Sequence, residues 1–226
     1  MTAPVIAIDG PSGTGKGTLC ALLAARFGWH VLDSGALYRL VGLAADRSAL
    51  DFADTQALGR LAATLPVSFR DERSADLRVL LDGEDVTDAI RGEACGNLAS
   101  QVAVVPAVRA GLLALQRGFR RPPGLIADGR DMGTVVFPDA ELKLFLTASP
   151  EVRARRRHKQ LIEKGNSVNL AQLLEDIARR DARDTARSVS PLKPASDAVV
   201  LDTTALSISE VEARVLEILR ERRLID

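Results

Sequence analysis

A chain of 226 residues, 46% hydrophobic and 27% charged, is long enough to bury a sizeable core and ordinary in composition for a soluble globular protein. Thirty basic and thirty acidic side chains leave a formal net charge of zero, which gives no support to nucleic acid or an acidic membrane surface as partner. No run reaches the roughly 18–20 apolar residues that would span a bilayer, and MTAPVIAIDG lacks the basic region and apolar length of a signal peptide.

Cys20 and Cys95 form no CxxC pair. A disulfide framework and a structural zinc site are therefore set aside, and both thiols are expected to be small buried residues in the reducing cytoplasm. Aromatic residues make up only 4% of the chain, so the core has to be built from Ala, Val, Leu and Ile.

Strands and helices alternate along the chain. PVIAID (4–9) is a short apolar run followed at once by glycines. Lys16 to Phe27 carries helical spacing through Leu19, Leu22, Leu23 and Phe27, with Gly28 as its stop. HVLD (30–33) reads as a strand and Gly35 to Ala45 as a helix. GLIAD (124–128), LKLFLTA (142–148) and DAVVLD (197–202) suit buried parallel strands. Helices are expected over roughly 106–120, 150–164, 169–183 and 207–223, the last opened by a Ser207–Glu210 capping box. This alternation implies an α/β domain: a parallel sheet with helices on both faces.

The stretch from about 60 to 98 breaks the rhythm. VSFR, LRVLLDG and EDVT are short, half-polar and punctuated by Asp and Gly, as in a small antiparallel insert. There is no internal repeat and no low-complexity linker. The expected organisation is one domain, with a core of 1–59 and 99–226 and an insert of about 60–98.

GPSGTGKGT (10–18) stands between an expected strand and an expected helix, the context a phosphate-binding loop requires. Its glycines let backbone amides turn inward on an anion, the helix N-terminus adds its dipole, and Lys16 supplies a point charge. Gly10, Pro11, Ser12, Gly13, Thr14, Gly15, Lys16, Gly17 and Thr18 are therefore the candidate nucleotide-binding residues. The general pattern places Ser or Thr directly after the lysine to bind magnesium, whereas this chain has Gly17 there and Thr18 one place later. The GKGT form resembles the nucleoside-monophosphate kinases more than the GTPases, and the guanine-reading NKxD is absent. Magnesium is then expected on phosphate oxygens and water, with Thr18 or Asp128 nearby.

Two other stretches fall at strand ends, where open α/β sheets bind ligands. VLDSGALYR (31–39) brings Ser34 and Arg39, and IADGRDMGTVVFPDA (126–140) brings Asp128, Arg130 and Asp131. Residues 150–193 hold eleven basic and six acidic side chains, so that segment is locally positive. It includes RARRRHK (153–159) and RRDARDTAR (179–187). On a helix, Arg180, Asp184 and Arg187 fall within about 60° of one another, with Arg183 at the border. By composition alone each of these runs is a solvated helix face held by intrahelical pairs.

GPSGTGKGT, DSGALYR, GRDMGTVVFPDA and RRDARDTAR followed by SPLKPASDA together resemble the bacterial cytidylate kinase family, in that order and over nearly the whole chain. GRDMGTVVFPDA is the most specific of the four. The resemblance implies a P-loop kinase fold: a five-stranded parallel sheet, a monophosphate-binding insert matching about 60–98, and a short lid of about 153–165. It implies transfer of the terminal phosphoryl of ATP to CMP or dCMP with Mg2+, on small molecules alone and with nothing that demands more than a monomer. Lys16, Arg130 and Arg187 would be catalytic, Arg153, Arg156 and Arg157 would close over ATP, and Arg39, Arg130 and Arg187 would hold the acceptor phosphate.

By the same resemblance Arg180 and Asp184 meet the ribose, Ser34 belongs to the CMP site, and Ser100, Arg109 and Asp131 read the base. A carboxylate accepts from the cytosine N4 amino group and an arginine donates to O2 or N3. Taken alone, Ser100 is a helix hydroxyl and Arg109 a surface charge, while a partnership with Arg130 is the alternative reading of Asp131. His30 and His158 have no partner spacing and are expected to be structural or exposed. Other small-acceptor kinases of this fold, such as one for shikimate, and a nucleotide-dependent switch remain the competing readings.

Overall fold

The computed structural model describes residues 2–70, 78–163, 165, 167–187 and 189–225. Residues 71–77 of the expected insert, residue 164 of the expected lid and residue 188 after RRDARDTAR lie outside them.

In chain order the elements are β1 (Val5–Asp9), α1 (Lys16–Phe27), β2 (His30–Asp33), α2 (Ser34–Arg47), α3 (Thr55–Ala63), β3 (Val67–Arg70), β4 (Arg78–Leu81), β5 (Glu84–Asp85), α4 (Glu93–Val102), α5 (Pro106–Gly118), β6 (Leu125–Gly129), β7 (Leu142–Thr147), α6 (Pro150–Glu163), α7 (Leu170–Thr185), β8 (Val199–Asp202) and α8 (Ile208–Glu221). A 3-10 turn (Ala89–Arg91) precedes α4, and a π-helical turn (Met132–Val136) follows β6. The main sheet has five strands in the order β2-β6-β1-β7-β8, flanked by helices as the alternation implies. β1 pairs parallel with β7 (Ile6 opposite Leu142), and β7 pairs parallel with β8 (Leu144 opposite Val199).

By compactness the chain divides into two units. The first holds Ala24–Ala127 with the residues before Val5; the second holds Val5–Leu23 with the chain from Asp128 onward. In the second unit every residue of β1 is buried, and β7 is buried through Leu146. Each Val, Ile or Leu so enclosed contributes about 1.5–3 kcal/mol. Lys143 sits in this apolar run because its ammonium reaches Asp197 at 2.9 Å. β8 closes the sheet as an edge strand, and its exposure alternates, with Val200 55% exposed. The Ser207–Glu210 capping box opens α8 as expected.

In the first unit Asp33 caps α2, its carboxylate accepting from the Ala36 amide at 3.0 Å. The helix therefore begins at Ser34, one residue earlier than the sequence suggests. Thr55–Ala63 is a helix that sequence spacing does not announce; Asp54 caps it, and Leu58 and Ala62 are buried. The expected insert narrows accordingly, its first residues closing α3 and its last opening α4. Between them β3, β4 and β5 form the anticipated antiparallel sheet, Val67 opposite Leu81 and Leu80 opposite Asp85. Asp82 and Gly83 both take positive φ (50° and 81°), the two-residue turn that an Asp-Gly pair favours.

Candidate active site

Gly10 ends β1 at φ 142°, where a Cβ would stand 2.2 Å from the Leu146 carbonyl oxygen. Glycine is what lets the loop fold back against β7. Pro11, Ser12, Gly13, Thr14 and Gly15 lead from there to Lys16, the first residue of α1. The Thr14 hydroxyl donates to the Pro11 carbonyl at 3.1 Å. Lys16 Nζ donates to the same carbonyl at 2.8 Å and lies 3.9 Å from Asp128 Oδ1 at the end of β6. Burial, then the nearby Arg130 charge, lowers the Lys16 pKa to about 8.

At the end of β1, Asp9 is 4% exposed and accepts from the Met132 and Gly133 amides, each at 2.8 Å. Burial raises its pKa to about 6 against the pull of those two bonds. It pins the start of the π-helical turn that follows Arg130 and Asp131.

Arg153, on α6, is buried. Its Nε donates to the Ala148 carbonyl at 3.0 Å, Nη1 reaches the Ser12 carbonyl at 3.2 Å, and both terminal nitrogens hold Asp181 of α7. Arg156 donates to the Thr203 carbonyl at 2.6 Å, the Thr203 hydroxyl at 3.1 Å and the Leu206 carbonyl at 3.2 Å. Thr203 Oγ1 lies 3.1 Å from the Thr14 carbonyl. Two of the three arginines expected to close over ATP are thus tied to the phosphate-binding loop and its neighbours, while Arg157 is half-buried. The exposed, solvated side of this run is Arg155 and Lys159.

On α7 the structure gathers one side of RRDARDTAR around Asp184, which is 2% exposed. Arg130 Nε donates to one carboxylate oxygen at 3.0 Å, and Arg187 Nη2 donates to the other. Burial pushes the Asp184 carboxyl up, but Arg130, Arg187 and Arg180 outweigh it and hold the group below the usual carboxylate range. Arg180 is half-buried, whereas Arg179 is exposed and pairs with Asp176. α7 ends at Thr185, so Arg187 reaches Asp184 from beyond the helix rather than along the stripe that helical spacing suggested. Arg130 takes its carboxylate partner from α7, and Asp131 beside it is 2% exposed.

The first unit arranges the remaining candidates. Arg39 Nη1 donates to the Ile90 carbonyl at 2.6 Å and the Gly92 carbonyl at 2.9 Å. Its guanidinium lies over Gly96, where a Cβ would come within 3.0 Å of Nη2. The Ser100 hydroxyl donates to Gly96 O one turn back at 3.0 Å. Arg109 donates to Ala103 O at 3.1 Å and stands 5.5 Å above the Tyr38 ring. The Ser34 hydroxyl accepts from Gln116 Nε2 at 2.9 Å. Cys20 and Cys95 are buried thiols, and buried His30 bonds the Pro122 carbonyl at 3.1 Å.

A glycine loop with a buried lysine, beside an arginine pair gathered on one carboxylate, fits a site that handles phosphates. A family model described as cytidylate kinase matches residues 6–221.

The chain belongs to the cytidylate kinase family. A cytidylate kinase of Stutzerimonas stutzeri (strain A1501) is 59% identical over 222 residues, covering 98% of this chain and 97% of that one. One from Pseudomonas syringae pv. tomato is 59% identical over 217 residues, covering 96% and 95%. Among solved structures, an uncharacterized protein from Eubacterium ventriosum ATCC 27560 superposes with a TM-score of 0.51 at 11% identity, over 96% of this chain and 98% of that one. That last likeness concerns the fold alone.

Sequence reasoning passed over four residues that this cytidylate kinase family member places among the candidates: Asp9, Gln116, Asp181 and Thr203. Two left a signal. Asp9 is an acid closing an otherwise apolar buried strand, and Gln116 is an amide on an apolar helix face. Asp181 and Thr203 left none, because their partners lie 28 and 189 residues away in the chain.

Proposed function

We propose that the protein transfers the terminal phosphoryl group of ATP to CMP or dCMP, giving CDP or dCDP. The observation that carries the acceptor is 59% identity to a cytidylate kinase along 98% of the chain. Transfer of this kind asks the protein for positioning and charge neutralisation rather than covalent help. Lys16 and the backbone amides of residues 10–18 hold the donor phosphates, and Arg156 and Arg157 close the donor side. Arg153 acts on the donor through the Ser12 carbonyl it holds.

Arg39, Arg130 and Arg187 bind the acceptor phosphate. The preorganisation of Arg130 and Arg187 by Asp184 supports this, since fixed guanidiniums lose less entropy when an anion arrives. Arg180 and Asp184 meet the ribose hydroxyls, and Ser34 also contacts CMP. Ser100, Arg109 and Asp131 read the base. Ser100 already donates its proton to Gly96 O, so toward the base its hydroxyl is left as an acceptor.

Magnesium belongs to this reading, and the residues fit it. A Cβ on Gly17 would stand 3.6 Å from Asp128 Oδ2, which brings a carboxylate close to the place where the general loop pattern carries a hydroxyl. Magnesium takes one or two carboxylates beside substrate phosphates; Asp128 and Thr18 would hold it, and its charge would offset that of the phosphates. We also read the protein as a cytoplasmic monomer acting on small molecules, without nucleic-acid or membrane partners. Among the described residues no single helix is long and apolar enough to cross a membrane.

The test is a coupled assay with ATP, magnesium and a panel of CMP, dCMP, UMP, AMP and shikimate. Turnover of CMP and dCMP well above the others is expected. Preference for shikimate, or ATP hydrolysis indifferent to acceptor, would overturn the reading.

A further inference from the structure

Gln116 occupies a place where α5 asks for a hydrocarbon. Val108, Leu112 and Gln116 follow one another at a spacing of four residues, and they are the buried residues of that helix. Val108 and Leu112 are 0% exposed and Gln116 is 1% exposed. An amide enclosed this completely destabilises the fold unless it is hydrogen-bonded, whereas leucine or methionine would pack there without any such demand. A polar side chain kept at a core position points to a task beyond packing.

Its partner suggests the task. Gln116 Nε2 donates to Ser34 Oγ at 2.9 Å, and Ser34 is itself 3% exposed at the first position of α2. A hydroxyl has one hydrogen to give and two lone pairs to receive. The amide N–H takes one lone pair, so the serine hydrogen turns away from Gln116. Amide nitrogen and hydroxyl oxygen thus fix where Ser34 stands and keep its hydrogen from pointing back at Gln116. A donor so aimed suits an oxygen acceptor on the nucleotide, whether phosphate or ribose.

We propose that Gln116 is a positioning residue for the acceptor nucleotide, holding the Ser34 hydroxyl as a hydrogen-bond donor toward CMP. This rests on the reading that Ser34 contacts CMP. Gln116 acts through Ser34 and touches no substrate itself. Methionine at 116 keeps the volume but leaves the serine free to rotate. Glutamate keeps the shape but replaces the donor with an acceptor, which captures the serine hydrogen and reverses the polarity.

The experiment compares wild type with Ser34→Ala, Gln116→Met, Gln116→Glu and the double variant Ser34→Ala/Gln116→Met. It reads KM for CMP, KM for ATP, kcat and Tm. Gln116→Met should raise KM for CMP about tenfold, the scale of one hydrogen bond, with KM for ATP within about twofold and no loss of Tm. Gln116→Glu should raise KM for CMP at least as much. The double variant should be no worse than Ser34→Ala alone, because the second change removes a contact whose purpose is already gone. If Ser34→Ala leaves KM for CMP unchanged, the placement of Ser34 at the acceptor fails and the proposal falls with it. If Ser34→Ala raises KM but both Gln116 variants leave it at the wild-type value, or the two losses add in full, Gln116 is a packing residue and the proposal alone is overturned.

Discussion

Lys16 carries two burdens that pull against each other. The donor phosphates need its positive charge, yet enclosure and the neighbouring Arg130 lower its pKa to about 8 from an ordinary 10.5. A base with a lowered value is charged below that value and neutral above it. The free protein should therefore lose donor affinity as pH rises through about 8, well before an exposed lysine would lose its charge. The measurement is kcat/KM for ATP from pH 6.5 to 9.5, which reports groups in the free enzyme. Wild type should show a falling alkaline limb near 8, and Lys16→Arg, weaker throughout, should lack it because guanidinium stays charged. A flat profile in wild type would mean that Lys16 does not set the donor charge.

At the scale of elements, α6 and α7 are joined by a buried arginine. Arg153 fills its donors with Ala148, Ser12 and Asp181, so the helix carrying Arg180 and Asp184 is fastened to the loop carrying Lys16. Removing one partner of such a pair strands the other charge. Asp181→Ala should cost about 2–3 kcal/mol in urea unfolding, somewhat below a fully enclosed pair because Asp181 retains some exposure. Asp176→Ala, which breaks the exposed pair with Arg179 on the same helix, should barely move the midpoint. Equal losses would mean that the fastening is not what holds α7.

This is also the scale at which the sequence was most and least informative. α1 and β2 were legible to the residue, because Gly28 and the apolar runs mark their ends without help from distant chain. α3 was not, since its nine residues (TQALGRLAA) are too few to hold a helix by themselves, and its stability comes from burying Leu58 and Ala62 against the rest of the fold. The turn at Met132–Val136 was hidden for another reason: its shape is imposed by Asp9, over a hundred residues earlier. In the candidate site, the loop and the arginines announced themselves by spacing and by family resemblance. Their partners did not, as a carboxylate such as Asp181 acquires its role only when the fold brings it to Arg153.

At the scale of the whole molecule, two of the chain's three passages between its compact units fall inside regular structure. One passage falls within α1, after Leu23, and another within β6, after Ala127. Neither unit can lose its part of that helix or strand without fraying the other. Unfolding should consequently be a single transition. Trp29, packed 5.5 Å from Phe27, reports the first unit by fluorescence, while far-UV circular dichroism reports all helices. The two urea curves should superpose, and midpoints separated by more than their error would show the units unfolding independently.

Heat exposes a different vulnerability. β8 is the last strand on its side of the sheet, only four residues long, and its outward Val200 is more than half exposed. A strand margin of this kind is a template on which another chain can nucleate aggregation. The shortness of β8 and the exposed carboxylate of Asp202 at its end limit that template, by brevity and by repulsion between identical copies. Asp202→Asn removes that guard while leaving the hydrocarbon in place, so the variant should turn turbid at a lower temperature than the wild type when both are warmed at the same pH.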